Sequence, residues 1–254
     1  MRQAVTNTDS PLAQVLRGLA GRGNAQLDYL MYLFLQAVAV FVWWPKSTLS
    51  EMLQAGDGPN TLLAAVVTAG IAIAWFSARA GAQEVLLPAQ RRLDEWASAR
   101  SISPARVLAG ALAGHLLLTL HLLALSSPLL LMAFTVSGGG WGALAWCLTA
   151  IVFQATFFHL AAATVYLYLG HHEAITLVLV RAIVVLTYLL TAVLAPAASH
   201  LVLSSRLLDS APAAYGDGAP ALFLLVYAAL CALLLVPLAG RISRLRSASA
   251  TAGA

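Results

Sequence analysis

The sequence predicts an all-α membrane protein with six transmembrane helices, and three observations lead to that prediction. Of its 254 residues, 61% are hydrophobic and only 9% are charged, whereas a soluble domain has about 45–50% apolar and about 25% charged residues. The mean hydropathy is +0.84. The apolar residues are gathered in six long runs. So few charges could not cover a water-facing surface, which excludes a soluble globular protein, a disordered chain and a nucleic-acid-binding protein.

Each of the six runs is long enough for a membrane helix, because a crossing of roughly 30 Å takes about 20 apolar residues. We predict spans at residues 28–44, 61–79, 106–134, 141–168, 174–198 and 220–239. The third and fourth runs are longer than one crossing requires. We therefore expect these two helices to tilt, or to continue beyond the hydrocarbon as unbroken helix.

The basic residues set the expected orientation. Eleven of the fourteen lie before the first span, between the second and third, or after the sixth, while Lys46 and Arg206 lie on the other side and Arg181 lies within a span. The positive-inside rule then places both termini in the cytoplasm, and we expect the chain to lie in the inner (cytoplasmic) membrane. Residues 1–27 form a cytoplasmic N-terminus, 28–240 the six-span domain and 241–254 a cytoplasmic tail. No apolar run of signal-peptide length precedes Asp28, so the first span is expected to act as the insertion signal.

Residues 9–24 predict a short helix that lies along the membrane surface. Leu12, Val15, Leu16 and Leu19 recur at helical spacing on one face. Asp9 or Ser10 can cap this helix and Pro11 suits its first turn. With Arg17 and Arg22 beside the apolar face, the segment is typical of an interfacial helix.

The segment of residues 80–105 is the only long connection that is densely charged. Its charged and aromatic residues are Glu84, Arg91, Arg92, Asp94, Glu95, Trp96 and Arg100. Pro88 and Pro104 bracket a short helix at about residues 89–100, with Ser103 ending this unit and Pro104 beginning the third span. A loop that merely joins two spans needs only a few residues, so this length indicates a functional contact.

The stretch QEVLLPAQRRLDEWASARSISPARVLAG resembles the cytoplasmic loop of ABC-2-type permeases. In that family an acidic residue, a basic cluster and a Leu-Glu pair precede a Pro-Val-Ser-Pro turn and an Ile-Leu-x-Gly span entry. Here Glu95 matches the glutamate, Ser101 to Pro104 match the turn, and Val107 to Gly110 match the entry. The Gly-Thr that often precedes Leu-Glu is missing, and Ser101 replaces the usual first proline. Motif-level similarity covers roughly 25 residues, while the layout of the whole chain is similar to that of the family.

The resemblance implies the transmembrane subunit of an ATP-driven exporter, in which this loop forms a coupling helix that docks on a separate ATPase subunit. A second permease copy or paralogue would complete a dimer in the lipid membrane. The turn His171-His172-Glu173 would form a second contact with the ATPase. The chain has no G-x-x-x-x-G-K-[ST] loop, and its only lysine, Lys46, is predicted on the outer side. The chain itself would therefore be no enzyme and bind no cofactor, with ATP and Mg²⁺ bound by the partner.

Four polar residues within the spans are candidates for a translocation pathway: His115, His121, His159 and Arg181. Arg181 could pair with Glu173 or an anionic substrate group, or extend to the headgroups. His115 and His121 are six residues apart, so they point to different sides of one helix. His159 could oppose His115 across a helix pair. The alternative function is therefore a six-span haem- or metal-handling protein that uses these histidines.

The remaining features add architecture but no chemistry. Cys147 and Cys231 lie in apolar runs and are expected to be buried small hydrophobic residues. Pro128 and Pro196 are predicted to bend the third and fifth spans near their outer ends. Residues 199–219 resemble the re-entrant outer helices of the same family. No paired carboxylates within a span, His-Glu-x-x-His or G-x-S-x-G occurs, so the usual parts of a membrane protease, transferase or proton pump are missing.

Overall fold

The computed structural model describes residues 10–13, 25–44, 60–84, 102–137, 140–169, 173–209 and 218–252, and the elements in these ranges are helices. The short stretch 11–13 is helical, and seven longer α-helices follow it. They are α1 (Ala25–Val42), α2 (Asn60–Glu84), α3 (Pro104–Ser137), α4 (Trp141–Leu169), α5 (Glu173–Leu194), α6 (His200–Asp209) and α7 (Ala219–Ala252). A 3₁₀ turn, Pro196–Ala198, lies between α5 and α6.

Four of these helices are long and apolar enough to cross a membrane, within α2, α3, α4 and α7. The helices at the first and fifth predicted spans are shorter apolar segments, Gln26–Val42 and Val178–Leu194. The all-helical class and the character of a multi-pass membrane protein therefore follow from the structure. As predicted, α3 begins at Pro104, where the Ser103 carbonyl accepts hydrogen bonds from the N–H groups of Arg106 (3.0 Å) and Val107 (3.1 Å).

One predicted boundary, the end of the fifth span, was wrong. The fifth span was expected to reach residue 198 with a bend at Pro196, but α5 ends at Leu194 and Pro196 starts the 3₁₀ turn. Proline lacks the N–H that would continue the helix and disfavours helical geometry in the residue before it. The last helix, α7, runs on to Ala252 with Pro237 inside it, and the part of it that is apolar enough to cross a membrane, Ala219–Gly240, agrees with the predicted span at residues 220–239.

Pro128 lies inside α3, which continues through it. A proline at this position cannot donate a hydrogen bond to the carbonyl of Ala124, four residues earlier. The Ser127 hydroxyl donates to that same carbonyl over 2.7 Å. The Ser127 hydroxyl thus replaces the hydrogen bond to the Ala124 carbonyl that Pro128 cannot donate. Inside a membrane every backbone carbonyl needs such a partner, because no water is present to supply one.

Helix α2 is the most deeply buried of the four long helices, with 61% of its spanning window inside the protein. Its buried positions are largely small: Ala65, Ala69, Ala72, Ala74, Ala78 and Ala80. Small side chains let helix backbones approach closely, which is how membrane helices gain packing contacts. Helix α2 therefore forms the centre of the bundle, and α4 packs along it.

Contacts between helix ends show that neighbouring helices run in opposite directions. Arg79, near the end of α2, binds Asp28 in the first turn of α1. At the other end, the Thr61 hydroxyl donates to the Trp43 carbonyl over 2.6 Å. The Leu62 N–H there donates to the Ser137 hydroxyl over 3.1 Å. We call the end where α2 finishes and α3 starts the loop end, and the other the opposite end.

Large apolar side chains cover the outside of the bundle. On α1 they include Leu30 (63% exposed), Phe34 (67%) and Phe41 (82%), and α7 presents Leu225, Leu233 and Val236 in the same way. Exposed apolar surface on this scale is covered by lipid or by protein in a stable molecule.

Candidate functional site

The loop end of the bundle gathers the segments that the sequence singled out. The charged connection leaves α2 after Glu84 and returns at Ile102 and Ser103. Its central residues Arg91, Arg92, Asp94, Glu95, Trp96 and Arg100 lie outside the described residues, as do His171 and His172. Glu84 ends α2 and Glu173 begins α5. The structure therefore locates both attachment points of the predicted coupling loop, and both lie at the loop end.

The described part of the N-terminal segment packs on the first turns of α3. The Ser10 hydroxyl accepts a hydrogen bond from the Ala13 N–H over 3.1 Å, so Ser10 fills one of the two predicted capping positions. A Cβ atom added to Gly110 would lie 2.6 Å from Pro11 Cβ and 2.9 Å from the Leu12 nitrogen. The absence of a side chain at Gly110 is thus what lets this segment touch α3. Gly110 lies only six residues after Pro104, where α3 begins.

Two of the candidate pathway residues meet inside the bundle. His115 of α3 and His159 of α4 stack nearly parallel, with ring centroids 4.3 Å apart and planes inclined by 19°. Both side chains are buried. The Thr119 hydroxyl lies 3.4 Å from His115 Nε2, one turn along the same helix. The rings present their faces to each other, so their in-plane nitrogen lone pairs do not converge on a point between them.

The histidine pair adjoins a close backbone approach between α2 and α4. A Cβ atom on Gly81 would overlap the backbone carbonyl of His159. Gly81 lies three residues before Glu84, where the described part of α2 ends and the charged connection begins. The last turn of α2, from which the charged connection starts, is therefore in direct contact with α4 at His159. His159 in turn contacts His115 on α3.

The other two candidate pathway residues lie apart from this pair. His121 is exposed, and its ring meets that of Tyr29 edge-on at 5.4 Å, on the side of α3 that faces α1. The Arg181 guanidinium lies 5.7 Å from the centroid of the Trp75 ring. This geometry is a cation–π contact on the outside of the bundle, a role that sequence reasoning did not assign to either residue.

Close to Trp75, a groove of about 520 Å³ lies between α1 and α2. The Asp28–Arg79 ion pair closes its loop end, with Arg79 Nη1 at 2.8 Å from Asp28 Oδ1 and 3.0 Å from Oδ2. The apolar walls of the groove include Met31, Leu35 and Ile71. The sequence did not predict this ion pair, because a charged residue at each of two helix ends does not indicate that the two residues are paired.

A buried hydrogen-bond chain joins three helices further toward the opposite end. The Tyr188 hydroxyl of α5 donates to Gln154 Oε1 of α4 over 3.1 Å. Gln154 Nε2 then donates to the Tyr227 hydroxyl of α7 over 3.2 Å, and that hydroxyl donates to the Ala198 carbonyl over 3.2 Å. The chain thus connects the 3₁₀ turn to the spanning helices. Sequence reasoning missed it, because one glutamine and two tyrosines spread over 73 positions form no motif.

Helix α6 lies within the region predicted to be re-entrant. Its first residue, His200, is fully buried, and a Cβ atom on Gly70 would lie 2.5 Å from the imidazole Cε1. Gly70 is near the middle of the spanning stretch Thr61–Gly81. The start of α6 therefore reaches deep into the bundle. The Ser204 hydroxyl lies 3.3 Å from His200 Nε2 and provides a polar partner there.

Among the described residues, no group of three or more His, Cys, Asp and Glu side chains is placed to hold a metal ion. Cys147 is buried and Cys231 partly buried, and both are free thiols. Both pack among hydrophobic side chains, and Cys231 is less buried than the sequence predicted.

Comparison with known proteins finds no family model, no curated protein and no solved structure that matches this chain. The geometry of the loop end and of the groove is therefore the basis for assigning a function.

Proposed function

We propose that this chain is the six-span permease subunit of an ATP-binding cassette exporter, which couples ATP hydrolysis by a separate ATPase subunit to translocation. In this proposal α1 and α5 complete the six spans, the loop end faces the cytoplasm, and two permease chains assemble in the inner membrane. The short apolar helices can span with the help of their flanking residues, because local thinning of the bilayer accommodates modest mismatch.

The observation that carries the proposal is the convergence of three elements at the loop end. The connection after Glu84 starts beside the Gly81–His159 contact, and it returns at Ser103 directly into α3. The N-terminal segment rests on Gly110, two turns further along α3. A force applied to the connection by a partner would reach α2, α3, α4 and the N-terminal segment at once, which is the mechanical task of a coupling element.

The outer segment supports the same proposal. Helix α6 follows a proline-induced break and inserts His200 into the bundle beside Gly70. A short helix that turns back into the bundle before the last span is the layout expected from the resemblance to ABC-2-type permeases.

A photo-crosslinking experiment tests the proposal. A benzophenone amino acid replaces Trp96 in the chain expressed in its native membrane, and adducts are identified by mass spectrometry. We expect an adduct with a protein that contains a G-x-x-x-x-G-K-[ST] phosphate loop. The same amino acid at Trp43, which is exposed at the opposite end, is the matched control and should give no such adduct.

A functional measurement completes the test. The permease and the ATPase identified by crosslinking are reconstituted together in liposomes. We expect Trp96→Ala, or joint charge reversal of Arg92 and Glu95, to abolish the stimulation of ATP hydrolysis by the permease. Membrane insertion should be unchanged. Full stimulation in both variants, or full transport by the chain without any ATPase, would contradict the proposal.

A further inference from the structure

The groove between α1 and α2 has the volume of a small-ligand site and a length close to that of one leaflet. Its volume of about 520 Å³ falls in the range of roughly 300–1,000 Å³ that is typical of ligand sites. It runs along α2 from Thr68 to Arg79, a rise of about 17 Å. That length is slightly more than half of the roughly 30 Å hydrocarbon thickness. The groove therefore extends through one leaflet, from the loop end to just past the bilayer centre.

The polarity of the groove changes along its length as a phospholipid would require. Met31, Leu35 and Ile71 form apolar walls toward the bilayer centre. Arg79 closes the loop end with its side chain 38% exposed, and among the described residues only its Nη1 is engaged, by Asp28. Its remaining guanidinium N–H groups are therefore free to bind an anionic group at this end of the groove.

A second cation lies close to the same groove. The Arg181 guanidinium stands over the ring of Trp75, which lines the groove one turn before Arg79. Arg79, Arg181 and Asp28 together carry a formal charge of +1. Guanidinium groups bind phosphate oxygens in a paired, planar geometry, so this end of the groove is complementary to a phosphate diester.

We propose that this groove binds one anionic phospholipid from the leaflet at the loop end, with the phosphate beside Arg79 and Arg181 and an acyl chain along Ile71. A helix from a second copy fits less well, because its apolar stretch carries no negative charge, whereas a lipid phosphate joins a negative charge directly to an apolar chain. Among the described residues, every Asp and Glu lies in the first or last turn of its helix. The proposal does not depend on the transport activity proposed above.

The test compares two lipids with the same spin-labelled acyl chain, phosphatidylglycerol and phosphatidylcholine, bound to the full chain in phosphatidylcholine nanodiscs. Electron paramagnetic resonance measures the fraction of immobilised label. We expect preferential immobilisation of phosphatidylglycerol. Arg181→Gln should lower its relative affinity about fivefold, the fold-change that corresponds to about 1 kcal/mol per basic residue at an anionic surface. Arg106→Gln, which removes an exposed charge at the same end but outside the groove, is the matched control.

A second variant tests the apolar part of the groove. Ile71 is 43% exposed, so Ile71→Trp fills the groove without disturbing the core, and thermal unfolding verifies that the variant folds. We expect this variant to lose the immobilised phosphatidylglycerol. Equal immobilisation of the two lipids, or an equal effect of Arg106→Gln and Arg181→Gln, would overturn the proposal. Retained lipid binding in Ile71→Trp together with loss of a dimer would also overturn it and assign the groove to a second copy.

Discussion

His115 of α3 and His159 of α4 stack face to face with ring centroids 4.3 Å apart, enclosed by the bundle at the foot of the charged connection. Stacked aromatic rings gain about 0.5–1.5 kcal/mol beyond the effect of burial. The pair therefore joins α3 to α4 close to the contact between α4 and Gly81.

Removal of one ring should destabilise the bundle. We expect His115→Ala to lower the free energy of unfolding by about 2–4 kcal/mol, because a buried ring is replaced by a cavity. His115→Phe should lose less, since a ring remains for stacking. Thermal unfolding in detergent measures both. His121→Ala, at an exposed position of the same helix, leaves no buried cavity and should cost at most about 0.5–1.5 kcal/mol, for the loss of the edge-on contact with Tyr29. Equal losses in His115→Ala and His121→Ala would contradict the structural role of the pair.

The contact between Gly81 and the His159 carbonyl should not tolerate a side chain. Gly81→Ala would force two helix backbones apart, and we expect a loss of about 1–3 kcal/mol or more. The matched control is Gly142→Ala, because a Cβ there meets nothing within 4 Å. Alanine at that helical position should be neutral or stabilising by up to about 1 kcal/mol. Chemical denaturation of the two variants decides the matter, and a Gly81→Ala protein as stable as the wild type would refute the close approach.

The docking of the N-terminal segment depends on Gly110. In Gly110→Ala the new methyl group would meet Pro11, so we expect residues 10–13 to leave α3. Spectra of a spin label at residue 12 should become more mobile in this variant. Gly240→Ala serves as the control, since nothing lies within 4 Å of a Cβ there. An immobile label in both variants would show that the segment does not rest on Gly110.

The hydrogen-bond chain through Gln154 should stabilise the bundle modestly. Interhelical hydrogen bonds in membranes contribute about 0.6 kcal/mol on average and at most about 1.7. We expect Tyr188→Phe and Tyr227→Phe each to cost an amount in that range, with Tyr227→Phe the larger because its hydroxyl also reaches the Ala198 carbonyl. A double-mutant cycle should show coupling, since both tyrosines bind the same amide. If the two losses of stability are strictly additive, the hydrogen-bond chain through Gln154 is refuted.

Local signals allowed much of the helix layout to be predicted from the sequence. The Ser10 cap and the start of α3 at Pro104 follow from residue types that act within one turn. The end of α5 was misplaced because the apolar run continues past Leu194, and Pro196 was interpreted as a bend within the span. The count of six spans stays a prediction, since four helices in the described part of the chain are long enough to cross unaided.

Helix partners were beyond sequence reasoning for a physical reason. A helix that is apolar on all sides carries little information about which face is buried. The pairing of Asp28 with Arg79 joins positions 51 residues apart, and that of Gln154 with Tyr227 joins positions 73 apart. Only the His115–His159 juxtaposition was among the alternatives considered. The residues proposed to contact the ATPase lie largely outside the described residues, so their role stays a prediction.

Helix α3 is 34 residues long, about 51 Å, which exceeds the hydrocarbon thickness by roughly 20 Å. It is one continuous helix that starts where the charged connection ends. The hydroxyl of its last residue, Ser137, accepts a hydrogen bond from the Leu62 N–H in the first turn of α2. A small tilt of this helix about Ser103 would displace Ser137, at its other end, sideways. A single continuous helix thus links the loop end of the bundle to the opposite end.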